Sequence, residues 1–538
     1  MLDVALIHPP RTTTFDPSGN QFPIMPVGLF SIGAELRRAG YSVRIYDLAL
    51  EAMRDVNFDL KDRLKKLHAR YYGIDFQWFV HAHGALEAAR LAKESHPSSS
   101  VFLGGMSASW FAEQLALRRG VDAVVVGEGE ETTVELVSAM DSGRELSGIR
   151  GLVIKRGGSL QRTEPRQPVS AERFDQYDFT QLDLLEDADS YLTLGNKPKN
   201  MWLPTARACP FNCAYCGGSR EGYAAAMLRK AVAFRKAESV ARDVEVLASK
   251  GVKVVSLTHD PEIAGERYWR PLFQQVREAG GGEVGLYVES FRAPSRTYLE
   301  EMRGVGGATV AVSPESASES VRKFVGRELS DDKIFSSLEA ARDLGIPALV
   351  YFLVGLPSET WDSFSLFEPM VTKIVQHKLG FVFPPIPYTV DPNSPMAIRP
   401  EDYGVRILAR DLDDYDKMSV SNRDEDWIAH ETKWLSRADI ARMLRKSQEI
   451  VFKLYGNPRL LTFQRDPRRL GNTRAAVRDC LLGLSGHVFS LRRLGSFRTG
   501  RRWLAFPVLD GKQRIISARG TLGRFDRSAH RLPGNRFT

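Results

Sequence analysis

Short apolar runs and amphipathic stretches alternate over residues 1–140. "DVALIHPP" and "YSVRIYDL" have the length and bounds of buried strands, and so do "SVFLGG" and "VDAVVVGEGE". Between them "GLFSIGAELRRAG", "HGALEAARLAKES", "SWFAEQLALRR" and "ETTVELVSAM" carry apolar residues at helical spacing, the first stopping at a glycine. Strand alternating with helix predicts an open, doubly wound parallel sheet, whose ligands sit at the carboxyl ends of the strands. Residues 141–200 are polar and irregular, with a hairpin piece at "LVIKR", and read as a linker. From Met201 the alternation resumes in six units, from "MWLPTAR" to "LGFVFPPIPYT". Six such units predict a partial (β/α)6 barrel over 201–400, with its chemistry at the strand ends. Residues 401–538 read as a mainly helical extension ending in an Arg-rich, irregular stretch.

Composition narrows this α/β picture. A chain of 538 residues with 43% apolar content builds more than one core. The longest apolar runs, such as "ALVYFLVGL", are half of the roughly 18 residues a membrane span needs. The amino terminus lacks the basic and apolar regions of a secretory signal. Four cysteines cannot frame a chain of this size with disulfides, so a reduced, cytoplasmic protein using thiolates as ligands is expected. The net charge of +8 is lopsided: from Asn457 onward 18 Lys/Arg face 4 Asp/Glu. No aromatic-interleaved basic module accompanies these arginines, which argues against nucleic acid as the partner.

Three of the four cysteines, Cys209, Cys213 and Cys216, fall within eight positions, directly followed by Gly217 and Gly218. A zinc site closed by Cys480 or a histidine is one reading, but zinc ligands usually come as two separated pairs, and Cys480 is far away in the chain. The other is a 4Fe–4S cluster held by three thiolates with one iron open. Cys209-x3-Cys213-x2-Cys216, with Tyr215 before the last cysteine, resembles the signature of radical S-adenosylmethionine (SAM) enzymes. The resemblance implies that the open iron chelates SAM. Reductive cleavage then yields a 5′-deoxyadenosyl radical that abstracts hydrogen from a substrate. It places Gly217, Gly218 and Ser219 at the SAM amino group, although the third position is usually acidic. It also places Glu315 of "VSPES" and Gly355 and Pro357 of "GLPSET" beside SAM. "SASESVRKFVGRELS" is similar to a run in the methylthiotransferase-containing subgroup.

The amino-terminal segments "VALIHPP", "VFLGGMSAS" and "VDAVVVGEGEETTVEL" resemble the cobalamin-binding domain preceding the barrel in one large class of these enzymes. That resemblance makes Pro9, Gly104, Gly105, Met106, Ser107, Ser109, Gly127 and Glu128 candidate cobalamin contacts. The two glycines would let the loop approach the corrin without a Cβ clash. No Asp-x-His-x-x-Gly follows the first strand, so cobalamin is expected without a histidine on cobalt. His81 and His83 read as loop or cap residues, and Trp78 and Phe79 as corrin cover or core. The implied activity is cobalamin-dependent methyl transfer to an unactivated centre of a small molecule, with an external electron donor such as flavodoxin or ferredoxin. Radical cyclisation or rearrangement, and radical modification of RNA or protein, are the alternatives. His259, Asp260, Glu262, Glu289 and Arg292 follow the second and third barrel strands and are candidate substrate contacts. Tyr215, Tyr287, Tyr351 and Tyr388 read as core residues near strand ends, and the Pro384–Pro395 loop as a substrate-side lid.

Overall fold

A computed structural model of the protein describes residues 2–15, 25–192, 199–279, 284–386 and 388–455, together with four short backbone strands between 497 and 516. Residues 1–489 and 490–538 form two compact units. The first begins with a seven-stranded sheet of order β2-β1-β3-β4-β5-β6-β7. Its parallel strands are β1 (Leu2–His8), β2 (Val43–Asp47), β3 (Ala69–Asp75), β4 (Ser100–Gly104) and β5 (Ala123–Val125). Alternate residues of β1 go to opposite faces, as a two-residue repeat requires. Val4 and Leu6 join helices Val27–Arg38 and Glu130–Ser142 in one core cluster, while Ala5 and Ile7 join helix Ala82–Ser95 in another.

The stretch taken for a linker does more than connect. β6 (Leu152–Arg156) and β7 (Ser159–Arg162) extend the first sheet as an antiparallel hairpin. Leu152, Val153 and Ile154 are buried against it, whereas β7 is a polar edge strand that presents Arg162. Phe174, Tyr177, Leu184 and Tyr191 then fill a core shared with the barrel helices, because each contributes a large apolar surface between the two sheets.

The second sheet is wholly parallel in the order β15-β14-β13-β12-β11-β8. Its strands are β8 (Asn200–Leu203), β11 (Val254–Leu257), β12 (Gly285–Ser290), β13 (Ala308–Glu315), β14 (Ala348–Phe352) and β15 (Phe381–Val382). Chain order matching spatial order, with β8 and β15 left as edges, makes an open six-stranded barrel. A small antiparallel pair, β9 (Ala206–Arg207) with β10 (Ala233–Phe234), brackets the cysteine loop. The barrel interior is aromatic: Trp202, Tyr287, Tyr351, Phe381 and Phe383 share one cluster, and the Tyr351 and Phe383 rings stack at 4.7 Å. Tyr287 is thus a core residue, as read.

The extension carries helices Leu412–Ser419 and Arg437–Leu454 and the pair β16 (Val405–Ile407) with β17 (His430–Thr432). It folds back on the first sheet. The Arg11 guanidinium donates to the Ser419 and Ser421 carbonyls at 2.6 and 2.9 Å and to Asn422 Oδ1 at 2.6 Å. In the second unit β18 (Phe497–Thr499) pairs with β19 (Arg502–Leu504) and β20 (Val508–Leu509) with β21 (Ile515–Ile516), both antiparallel. Cys480 and most of the Arg-rich tail lie outside the described residues. No described helix is long and apolar enough to cross a membrane.

Candidate active site

The cysteine loop leaves β9 through Ala208, whose φ of +64° turns the chain sharply ahead of Cys209. Cys213 is buried, Cys209 and Cys216 are partly exposed, and all three are free thiols. Burial pushes the Cys209 thiol up to about 11 and raises Cys216 well above its ordinary value. Thiols ionise on binding a cation that neutralises them, so three cysteines on one short loop suit an iron–sulfur cluster.

The surrounding motifs converge on this loop. Gly326 (φ +76°) brings its backbone so close to Asn212 that an added Cβ would lie 2.9 Å from the Asn212 carbonyl oxygen. The Ala214 amide donates to the Val325 carbonyl at 2.9 Å. Arg327 is buried next door, with Tyr215, Glu315, Cys213 and Glu289 as its electrostatic neighbours, and its Nε donates to the Ser313 carbonyl. Glu315 occupies the left-handed region at φ +70°, after a register shift in β13, and accepts from the Tyr215 hydroxyl at 3.0 Å. A non-glycine residue held there is stored strain of the kind found at functional sites. Burial raises the Glu315 carboxyl to about 7 although Arg327 and Tyr215 pull it down. Gly355 (φ +85°) and Pro357 lie in a buried loop, tied by Glu359 Oε2 accepting from the Gly355 amide and by His430 Nε2 at the Gly355 carbonyl.

Ser219 has a different task from the one the resemblance implied. It is the N-cap of helix Arg220–Met227, accepts from the Gly222 amide at 3.1 Å and is fully buried. The Pro384–Pro395 loop is docked on the cysteine loop. The Tyr388 hydroxyl donates to the Tyr215 carbonyl at 2.5 Å, and Asp391 Oδ2 accepts from the Gly217 amide at 2.7 Å. Asn393 Nδ2 donates to the carbonyls of Gly217 and Gly222. Sequence reading missed Asp391; its aspartate-proline turn was the visible signal, but nothing local named its partner.

Among the substrate candidates, Glu289 is exposed on the inward face of β12 and accepts from the Ser313 hydroxyl at 3.2 Å. Arg292 stacks on Phe211 at 4.0 Å, beside the cysteine loop. Asp260 does not reach the lumen. It is fully buried, accepting from Ser290, Phe291 and Glu262, because it ties together the loops after β11 and β12. Glu262 accepts from the Ser295 amide, and the His259 carbonyl accepts from the Thr205 hydroxyl.

In the first sheet the strand order reverses between β1 and β3, where open α/β sheets bind ligands. His8 ends β1 there, donating from Nδ1 to Asp75 Oδ2 at 2.9 Å, while its buried Nε2 has no partner among the described residues. That orphaned nitrogen suits an added polar group. Pro9 is buried, its carbonyl 3.0 Å from His81 Nδ1, and His83 Nδ1 meets Asp416 at 2.8 Å. Phe79 is core against Tyr415, and Trp78 reaches Asp391 through Nε1 at 3.4 Å.

Several proposed cobalamin contacts are taken up by the protein itself. A Cβ on Gly105 would lie 2.7 Å from the Gln77 amide nitrogen, so this glycine serves the packing of its own domain rather than room for a corrin. Gly104 has free space, with nothing nearer than 3.6 Å, and Gly127 only Met227 at 3.9 Å. Met106 and Ser107 donate their amides to Gln77, and Ser109 Oγ accepts from the Gly127 amide. Glu128 is buried in a bidentate pair with Arg229, with Arg207 at 3.2 Å, because it joins the β5 loop to the barrel.

Residues 203–367 match the Radical SAM superfamily, and residues 21–137 match the B12 binding domain. The chain is 30% identical to the uncharacterised methyltransferase PH0819 of Pyrococcus horikoshii over 62% of this chain and 70% of that one. It belongs to the cobalamin-dependent radical SAM enzymes. A second relative, the hopanoid C-3 methylase of Methylococcus capsulatus, is 25% identical over 63% of this chain and 62% of its own length. The fold matches TsrM from Kitasatospora setae, a radical SAM methyltransferase solved with cobalamin and a 4Fe–4S cluster. The TM-score is 0.60 at 14% identity, covering 90% of this chain and 99% of that one. As a radical SAM enzyme with a B12 domain, the protein takes SAM, a 4Fe–4S cluster and cobalamin, and relies on an external reductant.

Proposed function

We propose that this radical SAM enzyme transfers a methyl group to an unactivated centre of a small-molecule substrate, reduced by a flavodoxin- or ferredoxin-like donor in the cytoplasm. The observation that carries the reading is the contact of the two domains at the cluster loop. Trp78, following β3 of the cobalamin-binding sheet, touches Asp391, which itself holds Gly217 one residue from Cys216. A group donated from the first domain and a hydrogen removed at the second therefore meet at one place. When bound, SAM at the cluster supplies a hydrogen-abstracting radical, and cobalamin supplies a methyl carrier.

The chain's own residues hold and shield these groups. Cys209, Cys213 and Cys216 would hold the cluster, and Arg327 supplies a buried positive charge beside it. Tyr215 and Glu315 brace the floor through one hydrogen bond. Gly218 and Pro357 are the SAM-side backbone positions in this reading, and Gly104 and Gly127 the cobalamin-side ones, the backbone groups of Gly355, Met106 and Ser107 being engaged within the protein. The aromatic lumen excludes water from a reactive carbon radical, and Glu289 is the one carboxylate that it exposes from β12. Relatives named as methyltransferases support methyl transfer.

Anaerobic reconstitution with iron, sulfide and hydroxocobalamin, followed by dithionite and SAM, tests the reading. Wild type is expected to form 5′-deoxyadenosine, and Cys213→Ala none. S-Adenosylhomocysteine appearing with a methylated substrate supports transfer. 5′-Deoxyadenosine with an unmethylated, rearranged product would replace transfer by rearrangement.

A further inference from the structure

The backbone groups that follow the cluster cysteines are already engaged. The Gly217 carbonyl receives Asn393 Nδ2 at 2.8 Å, and the same amide donates to the Gly222 carbonyl at 2.9 Å. Ser219 stands at the position where the resemblance expects an acid. Its hydroxyl is committed to the Gly222 amide and it is fully buried. This loop offers a cationic ligand no side-chain charge of its own. A carboxylate arrives instead from the far end of the barrel. Asp391 lies 174 residues on, takes the Gly217 amide at 2.7 Å through Oδ2 and the Trp78 indole at 3.4 Å through Oδ1.

The approach is tight. A Cβ on Gly217 would lie 2.6 Å from Asn393 Oδ1 and 3.0 Å from Asp391 Cβ, so the glycine and the 391–393 segment are fitted to each other. Asp391 is mostly buried but keeps part of its side chain exposed. A carboxylate has about four acceptor positions, and two donors leave room for more. Other acids near the loop are engaged: Glu221 by Asn212 and Arg399, and Glu315 by Tyr215.

We propose that Asp391 accepts a hydrogen bond from the α-amino group of the SAM methionine, supplying from the sixth barrel unit the carboxylate acceptor that Ser219 lacks. The assignment rests on the radical SAM reading above and adds the residue that orients the cosubstrate's amino group toward the cluster. A charge-assisted N–H···O bond is stronger than the neutral backbone contacts that remain on this loop.

The test is SAM affinity of the reconstituted protein by equilibrium dialysis, with iron content and the cobalamin absorption spectrum measured on the same samples. Asp391→Asn keeps an acceptor for the Gly217 amide, removes the charge and replaces the oxygen facing the Trp78 indole by a donor, which is why Trp78→Phe is measured beside it. Asp391→Asn is expected to weaken SAM by about tenfold or more while iron and cobalamin stay at wild-type levels. Trp78→Phe, which removes only the indole donor, is expected to change SAM affinity by no more than about twofold. The decisive arm uses an SAM analogue lacking the α-amino group. Toward it wild type and Asp391→Asn should bind equally, since the coupled pair is gone. An unchanged SAM affinity in Asp391→Asn, or an equal loss toward the deamino analogue, overturns the assignment. So does a Glu289→Gln variant that shows the amino-dependent loss in its place. Wild type that binds no SAM once its cluster is loaded would instead sink the radical SAM reading.

Discussion

The two sheets of this protein treat their signature residues differently. In the barrel the cysteines, the Glu315 strand end and the Gly326-Arg327 turn converge on one loop, and their side chains face the place where chemistry is expected. In the first sheet Gly105, Ser109 and Glu128 look inward, packing, bridging and pairing with their own chain. A barrel site is assembled from strand ends that radiate around a lumen, so side chains there are free to meet a ligand. An open sheet must first fix its loops to one another and to its neighbour domain. The polar residues at its strand ends are therefore divided between ligand and scaffold. A family resemblance carries over ligand contacts in the first case and scaffold contacts as readily in the second.

Three measurements sharpen or break this contrast. The largest effect is expected from Glu128→Ala. It strands the buried Arg229, with Arg207 close by, and removing one partner of a buried pair costs about 3–5 kcal/mol. The loss should appear in denaturant unfolding of protein without cobalamin; a change in cobalamin affinity alone would return Glu128 to the ligand. Next is Gly105→Ala, at φ +114° and against the Gln77 backbone, expected to cost about 1–3 kcal/mol, whereas Gly104→Ala should leave stability unchanged and affect cobalamin affinity only.

The smallest effect is in pH. Burial lifts the Asp260 carboxyl to about 7 from its ordinary 3.8, so the folded barrel binds this proton more tightly than the unfolded chain. Its contribution is present below the unfolded pKa and is lost as pH rises through about 7. Glu128 behaves in the opposite sense. Arg229 and Arg207 hold it below its ordinary value despite burial, so its stabilisation is present at neutral pH and lost in acid. Thermal midpoints of Asp260→Asn should therefore decline less than wild type between about pH 5 and about pH 8. An unchanged slope would show that Asp260 does not titrate in this window.

Periodicity carried most of the strands of both sheets, because buried parallel strands are short apolar runs whatever they pack against, although β3 (Ala69–Asp75) was not among the runs read and the spatial order came from the structure. The cysteine spacing carried the cluster loop. The hairpin piece at β6 was legible, but its membership of the first sheet was not, because its second strand β7 is polar and sits at an edge. Ser219 could have been recognised as an N-cap from the helix that follows it, yet its place in a motif overrode that local signal. Asp391 and Arg229 escaped for another reason. Each gains its role from a partner about a hundred residues or more away, and such pairings leave no mark in a window of local sequence.

Arg11 adds a consequence for how the molecule comes into being. Its guanidinium belongs to the turn that follows β1, but the carbonyl it meets at Ser419 is 408 residues downstream. The first sheet must wait, with that turn unfinished, until the whole barrel and the start of the extension have been synthesised. Contacts of such separation slow the last step of folding. A chain terminated ahead of residue 422 should release a sheet in which the Arg11 turn lacks its partners.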